Sequence, residues 1–172
     1  MLRKHAIAAY EETAAIAGAK LGIPMIFRQM RLEDASEVHA IEIEIFPSPW
    51  SEAGFANSVS FGYNCWVLCE EASGAIAGYF VLMTSLDEAH LLTVGLKADL
   101  HGMGYGRMLL ERALQTAREH GMVSMLLEVR PSNTRPLEIY EKMGFKQIGQ
   151  RKNYYLNRDH TREDAIVMRL ML

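Results

Sequence analysis

Two cysteines, Cys65 and Cys69, are all that the 172 residues contain, and they stand four apart in YNCWVLCEE. That stretch alternates like a strand, which puts both thiols on one face but about 13 Å apart, too far for a disulfide. With no further cysteine beside them a metal site fails too, so they read as two reduced core thiols of a cytoplasmic protein. No apolar run reaches the ~18 residues that a membrane span needs. Positive charge is not in excess either: 18 Lys and Arg stand against 21 Asp and Glu, giving a net charge of -3 and a pI near 6.1. No overall basic field therefore draws the chain to nucleic acid or to an anionic membrane. The six histidines, His5, His39, His90, His101, His120 and His160, are scattered with no metal-ligand partner at helical spacing, so no metal is expected. Nothing in the arrangement of Ser, His and Cys suggests a covalent intermediate. The opening MLRKHAIAAYEETAAIAGAKLGIP begins with basic residues like a signal peptide, but Glu11 and Glu12 interrupt the place of an apolar segment. Residues 1–24 read as an Ala-rich helical extension that ends before Pro24.

What is present fits one globular domain over residues 25–172, of a size that buries about 70% of its unfolded surface. MIFRQMR alternates as a strand, and EDASEVHAIEIEIF has helical spacing with Asp34 or Ser36 able to cap it. FPSPWSEAGF is a loop whose Ser51 precedes a short helix. WVLCEE, AIAGYFVLMTS and EAHLLTVGL read as three successive strands. MLLERALQTAREHG is the clearest helix, with Leu110, Ala113, Leu114 and Ala117 on one face and Gly121 just past its end. SMLLEV is a strand, TRPLEIYEKMG a helix, and FKQIGQRKNYYL and DAIVMRLML are two final strands. Strands first and strand-helix-strand-helix later imply an α/β (α+β) fold, a mixed, mostly antiparallel twisted sheet of about seven strands flanked by helices.

Two features carry chemistry. HGMGYG, residues 101–106, lies between a strand and the strongest helix, so glycines allow close approach to the helix N-terminus, a phosphate cradle in outline. Its spacing is not that of a dinucleotide fingerprint, and no Gly-Lys-Ser/Thr follows; a tight turn would use the same residues. The second is Glu128, a carboxylate near the end of the apolar strand SMLLEV, where a charge must be paired or useful.

Taken in order, the strand, HGMGYG, the helix, LLEVRPSN and the helix with Tyr140 resemble the GNAT superfamily of N-acetyltransferases. LLEVRPSN, IYEKMGF, RKNYY, EDAIVM and FPSPWSE are similar to the bacterial ribosomal-protein-alanine N-acetyltransferases, the RimI type, over about residues 25–172. The resemblance implies that acetyl-CoA is the donor, held by Gly102, Met103, Gly104, Tyr105, Gly106 and Arg107 at its pyrophosphate. Val94, Gly95 and Leu96 would run beside the pantetheine arm, with a local bulge to which Gly95 is suited, and Asn133 would touch the same arm or cap its helix. The family loop opens with Gln or Arg followed by a basic or polar residue, where this chain has His101 and Gly102, and FPSPWSE is one residue longer than usual.

The resemblance also makes Glu128 the general base and Tyr140 the general acid of a direct transfer. Partial burial would raise the basicity of Glu128 toward a useful range; the alternative for it is a structural pair with Arg130 or another arginine. Trp50, Arg151, Tyr154 and Tyr155 become the acceptor-facing positions. The implied acceptor is the N-terminal α-amine of a protein, most readily the N-terminal alanine of a ribosomal one. The alternatives are acetylation of lysine side chains or a small amine, and a CoA-binding module without catalysis.

Overall fold

The structure, a computed structural model, describes residues 12–14 and 23–172. Strands β1 (Glu12–Ala14), β2 (Met25–Gln29), β3 (Asn64–Glu70), β4 (Ile76–Ser85), β5 (Glu88–Leu96), β6 (Ser124–Val129), β7 (Lys146–Leu156) and β8 (Arg162–Met171) form one sheet in the order β1-β2-β3-β4-β5-β6-β8-β7. Among the described residues only β5 and β6 run parallel, and the helix between them makes the crossover that a parallel pair requires. The seven strands expected over residues 25–172 are present, with β1 added at the edge. That strand corrects part of the expected helical extension. Its alternating backbone pairs with the open edge of β2, Glu12 opposite Phe27 and Ala14 opposite Met25, and this pairing overrides the helical preference of an Ala-rich stretch. The remainder of that expectation lies outside the described residues.

Helices α1 (Ala35–Ile45) and α2 (Glu52–Ser60) cover one face of the sheet, and α3 (Tyr105–Glu119) and α4 (Thr134–Lys142) the other. The α3 stripe of Leu109, Leu110, Ala113, Leu114 and Ala117 is buried against Phe80, Leu91, Met125 and Leu127. Each leucine so buried contributes about 1.5–3 kcal/mol. Gly121, at φ 72°, closes α3 while Met122 N–H returns to the Ala117 carbonyl, as the sequence pattern predicted. On the other face Val38, Ile41 and Phe55 pack with Val67, Tyr79, Val81 and both cysteines, which are buried and free. Ser51 caps α2 by accepting the Gly54 N–H at 3.1 Å. Asp34 stands at the N-cap of α1 without capping it, because its carboxylate is taken by the Arg28 guanidinium and the Arg31 N–H.

What positions the site is an interruption of the sheet. The β5–β6 ladder runs from Glu88 opposite Ser124 to Leu91 opposite Leu127 and stops there. Beyond that point Thr93 to Leu96 continue only with β4, and Glu128 and Val129 only with β8, so the two strands part into a cleft. The break coincides with a bulge: Val81 faces Thr93 and Leu82 faces Leu91, which leaves Leu92 as the extra residue. The expected irregularity is therefore at Leu92 and not at Gly95. Gly95 has a packing reason instead, since a Cβ there would stand 2.4 Å from the Tyr79 ring. Gly95→Ala should lower the unfolding free energy by about 1–3 kcal/mol through overpacking, measured by urea denaturation; an unchanged midpoint would mean that the Tyr79 ring does not fix this spacing.

Candidate active site

A cavity of about 430 Å³ occupies the cleft where β5 and β6 part. Of the residues expected at the donor side, it is lined by Val94, Gly95, Leu96, Gly102, Gly104, Gly106, Arg107 and Asn133. Glu128 and Tyr140 line it too, as do Trp50 and Tyr155 on the acceptor side. Met103 and Tyr105 do not. Met103 packs against the core and Tyr105 is fully buried in it, so these two can offer a ligand only their amides.

The glycine loop is shaped by its backbone. Gly102 and Gly104 adopt φ of 81° and 97°, left-handed values that cost a side-chain-bearing residue about 1 kcal/mol or more. Space is open where a Cβ on Gly104 or Gly106 would lie. No side chain caps α3, and the amides from Gly104 to Arg107 donate to no backbone carbonyl among the described residues. Such a set of amides at the positive end of a 15-residue helix suits an anion. His101 is turned away from it, its Nε2 lying 2.9 Å from the Leu96 carbonyl, and the Arg107 guanidinium is paired with Glu111 at 2.8 Å. Asn133 stands at the N-cap of α4, yet its side chain makes no capping bond, which leaves the amide group to the cavity. These features fit coenzyme A: an open anion cradle, a free Asn133 side chain, and the one-sided edge of Thr93 to Leu96 for an extended arm.

Glu128 projects from the end of β6 with its side chain 7% exposed. His90, on the neighbouring β5, reaches it with Nε2 2.6 Å from Oε2. An ionised carboxylate only accepts, so Nε2 carries the proton of that bond. Arg151 approaches the other oxygen, Nε to Oε1 at 3.2 Å, as an ion pair without hydrogen-bond alignment. Burial alone would raise the Glu128 carboxyl, but the His90 bond and the His90 and Arg151 charges outweigh it and hold it below the ordinary carboxylate range. The expectation of a raised Glu128 is thus corrected. Arg151, and not Arg130, is the paired arginine; Arg130 is held by Asn157, the Leu156 carbonyl and Glu163 and lies 4.4 Å from the centre of the Tyr155 ring. Tyr140 is 6% exposed, and burial pushes its phenol up to about 12, so it keeps its proton throughout the neutral range.

The residues expected to face the acceptor come from the loop between α1 and α2 and from β7. The Trp50 ring lies tilted at 5.5 Å from Phe55, and its backbone N–H donates to Glu42 Oε1 at 3.0 Å. Glu42 is itself buried and receives the Tyr79 hydroxyl on its other oxygen. In β7 the register slips between Arg151 and Tyr155, and Asn153, at φ 51°, bulges outward between them. Tyr155 thereby lines the cavity, while Tyr154 stays exposed outside it, edge-on to Tyr155 at 4.9 Å and beside Arg151. Sequence reading missed His90, Glu42 and Arg135, which also line or adjoin the cleft. Only His90 left a signal, a polar residue in the otherwise apolar strand EAHLL.

The model of the acetyltransferase (GNAT) family matches residues 35–145. The ribosomal protein bS18-alanine N-acetyltransferase of Escherichia coli K12 is 35% identical over 137 residues, covering 80% of this chain and 90% of that protein. The enzyme of the same name from Haemophilus influenzae is 34% identical over 143 residues, 83% of this chain and 96% of that one. Among solved structures, the ribosomal-protein-S18-alanine N-acetyltransferase from Escherichia coli superposes with a TM-score of 0.78 at 33% identity, over 86% of this chain and 93% of the other.

The charge balance at Glu128 is open to direct measurement. In a carbon-detected NMR titration the Glu128 carboxyl should titrate below an ordinary glutamate, and His90→Ala should move it upward. Because the folded value is lowered, the interaction stabilises the fold above the ordinary glutamate pKa and is lost as pH falls through the folded one. Unfolding free energy in Glu128→Gln should therefore vary less steeply than wild type below about pH 5. A wild-type carboxyl titrating above the ordinary range would overturn the assignment of His90 and Arg151 as its partners.

Proposed function

The chain belongs to the acetyltransferase (GNAT) family and is an acetyl-CoA-dependent N-acetyltransferase; on that premise we propose that its acceptor is the N-terminal α-amine of a protein, alanine first, and a ribosomal protein in particular. The observation that carries this reading is the meeting of Glu128, Tyr140 and the unpartnered α3 amides in one cleft bounded by Trp50 and Tyr155. The acceptor's identity is supported by the names of relatives that align along about four-fifths of the chain. Two reduced, buried thiols fit work in the cytoplasm.

Acetyl-CoA supplies a thioester whose acetyl carbon is open to attack by a neutral amine. The amides from Gly104 to Arg107 and the Asn133 side chain would hold the donor, and the free edge of β5 would align it. Glu128 is ionised throughout the neutral range, so it can take the ammonium proton directly or through one water without first losing its own. Its lowered pKa makes it a weaker base than a carboxylate raised by burial, and proximity offsets part of that loss. Hydrogen bonding fixes the carboxylate on the His90 side; the Arg151 contact, made by a half-exposed side chain, is the one an incoming chain can displace. Tyr140 keeps its proton and is the donor to the departing thiolate.

The choice of amine follows from acid-base arithmetic. An α-amino group, pKa ~8, is roughly 10% neutral at pH 7, whereas a lysine, pKa ~10.4, is about 0.04% neutral. Without a raised base, a site of this kind favours the amine that is easier to deprotonate by about two orders of magnitude.

Peptides beginning with alanine should be acetylated at their terminus, and the same peptides blocked there but containing lysine should be nearly inert, as read by mass spectrometry. Equal rates on the blocked peptides would replace the terminal-amine reading with a lysine one. Glu128→Gln should lower turnover by about 100-fold or more, and Tyr140→Phe should lower kcat while leaving acetyl-CoA affinity nearly unchanged. Trp50→Ala should raise KM for the peptide more than for acetyl-CoA; the opposite split would put the acceptor on the wrong wall.

A further inference from the structure

The anion cradle has an electrostatic gap within its own loop. The His101 ring is engaged with the Leu96 carbonyl, Met103 packs into the core, and the charge of Arg107 is met by Glu111 at 2.8 Å. A doubly charged diphosphate would thus find amides there but no free cation. The missing charge stands on the facing helix. Arg135, in the first turn of α4, lines the same cavity, and one guanidinium nitrogen lies 2.9 Å from where a Cβ on Gly102 would be. Among the described residues no carboxylate pairs with Arg135 and no hydrogen-bond acceptor holds it.

We propose that Arg135 is the diphosphate-binding cation of this enzyme, reaching across from α4 to the glycine loop. The proposal rests on the reading that the HGMGYG loop receives coenzyme A. Glycine at 102 leaves the guanidinium room to lie against the loop, since a Cβ there would stand 2.9 Å from one of its nitrogens. A planar guanidinium can contact two phosphate oxygens at once, while the α3 amides approach from the other side. Its position against the loop backbone separates it from Asn133, two residues earlier at the N-cap of the same helix, whose side chain faces the same cavity toward the arm. Arg135 therefore binds the donor and takes no part in moving protons.

Calorimetry on the full chain with coenzyme A and with dephospho-coenzyme A tests the assignment, since both ligands carry the diphosphate and only the first carries the 3′-phosphate. Arg135→Ala should weaken both ligands by a similar factor of about ten, the size expected for a charge-assisted contact discounted for exposure. Arg135→Lys, which keeps the charge but not the fork, should fall between the two. Arg135 is exposed and holds no other element, so the free variants should unfold at the wild-type temperature. Unchanged binding of both ligands by Arg135→Ala would overturn the proposal, and so would a loss confined to coenzyme A, which would move the arginine to the 3′-phosphate. Failure of the wild-type chain to bind coenzyme A at all would overturn the reading of the loop itself.

Discussion

The ladder between β5 and β6 ends at Leu91 and Leu127, and the groups described above are arranged around the gap that follows. Parallel strands held by α3 on one face would ordinarily continue to their ends. Here the extra residue Leu92 turns β5 toward β4, while β6 stays with β8. Both strands keep a full partner on their outer side, so the parting leaves the rest of the sheet intact. It creates an unpaired backbone edge, brings the N-terminus of α3 to one end of that edge, and leaves Glu128 at the other. The glycine loop, Glu128 and Tyr140 all line the gap that this single discontinuity opens.

Within the cleft the electrostatics divide cleanly. The loop end is positive and offers amides and Arg135. The β6 end carries one carboxylate held by a histidine and an arginine. Tyr140 lines the same cavity, neutral because burial keeps its proton in place. A second carboxyl, Glu42, is also buried at the cleft, but the Trp50 N–H and the Tyr79 hydroxyl occupy both its oxygens. Burial raises its pKa, and its contacts tie the loop between α1 and α2 to β4, so two carboxyl groups lining one cavity differ in what holds them.

Much of this was legible in the residues and some was not, for physical reasons. The α3 stripe, its Gly121 stop and the Ser51 cap depend on neighbours three or four positions away, and such patterns are written locally. Glu128 was visible because a carboxylate interrupts an apolar strand. The direction of its pKa shift was not legible, since burial is foreseeable from one strand whereas the opposing partners come from residues 38 positions earlier and 23 positions later. Arg135 carries no local signal, because what it approaches is the glycine loop some thirty positions earlier. The bulge was expected at Gly95 because glycine is the usual marker of irregular backbone, yet the register slips at Leu92, and Gly95 answers to a neighbouring ring. Glu12–Ala14 shows how an open strand edge recruits a segment whose own preference is helical.

The uneven register of β7 has a consequence beyond the cleft. This strand is the outer edge of the sheet, and its ladder with β8 slips twice, between Gln147 and Gly149 and again between Arg151 and Tyr155. A regular edge of eleven residues would present a continuous row of amides and carbonyls on which another chain could extend the sheet. The two slips break that row into short pieces, and Lys146, Arg151 and Lys152 add like charges along it. The distortion that turns Tyr155 into the cleft also protects the molecule against growing into a fibre from its own edge.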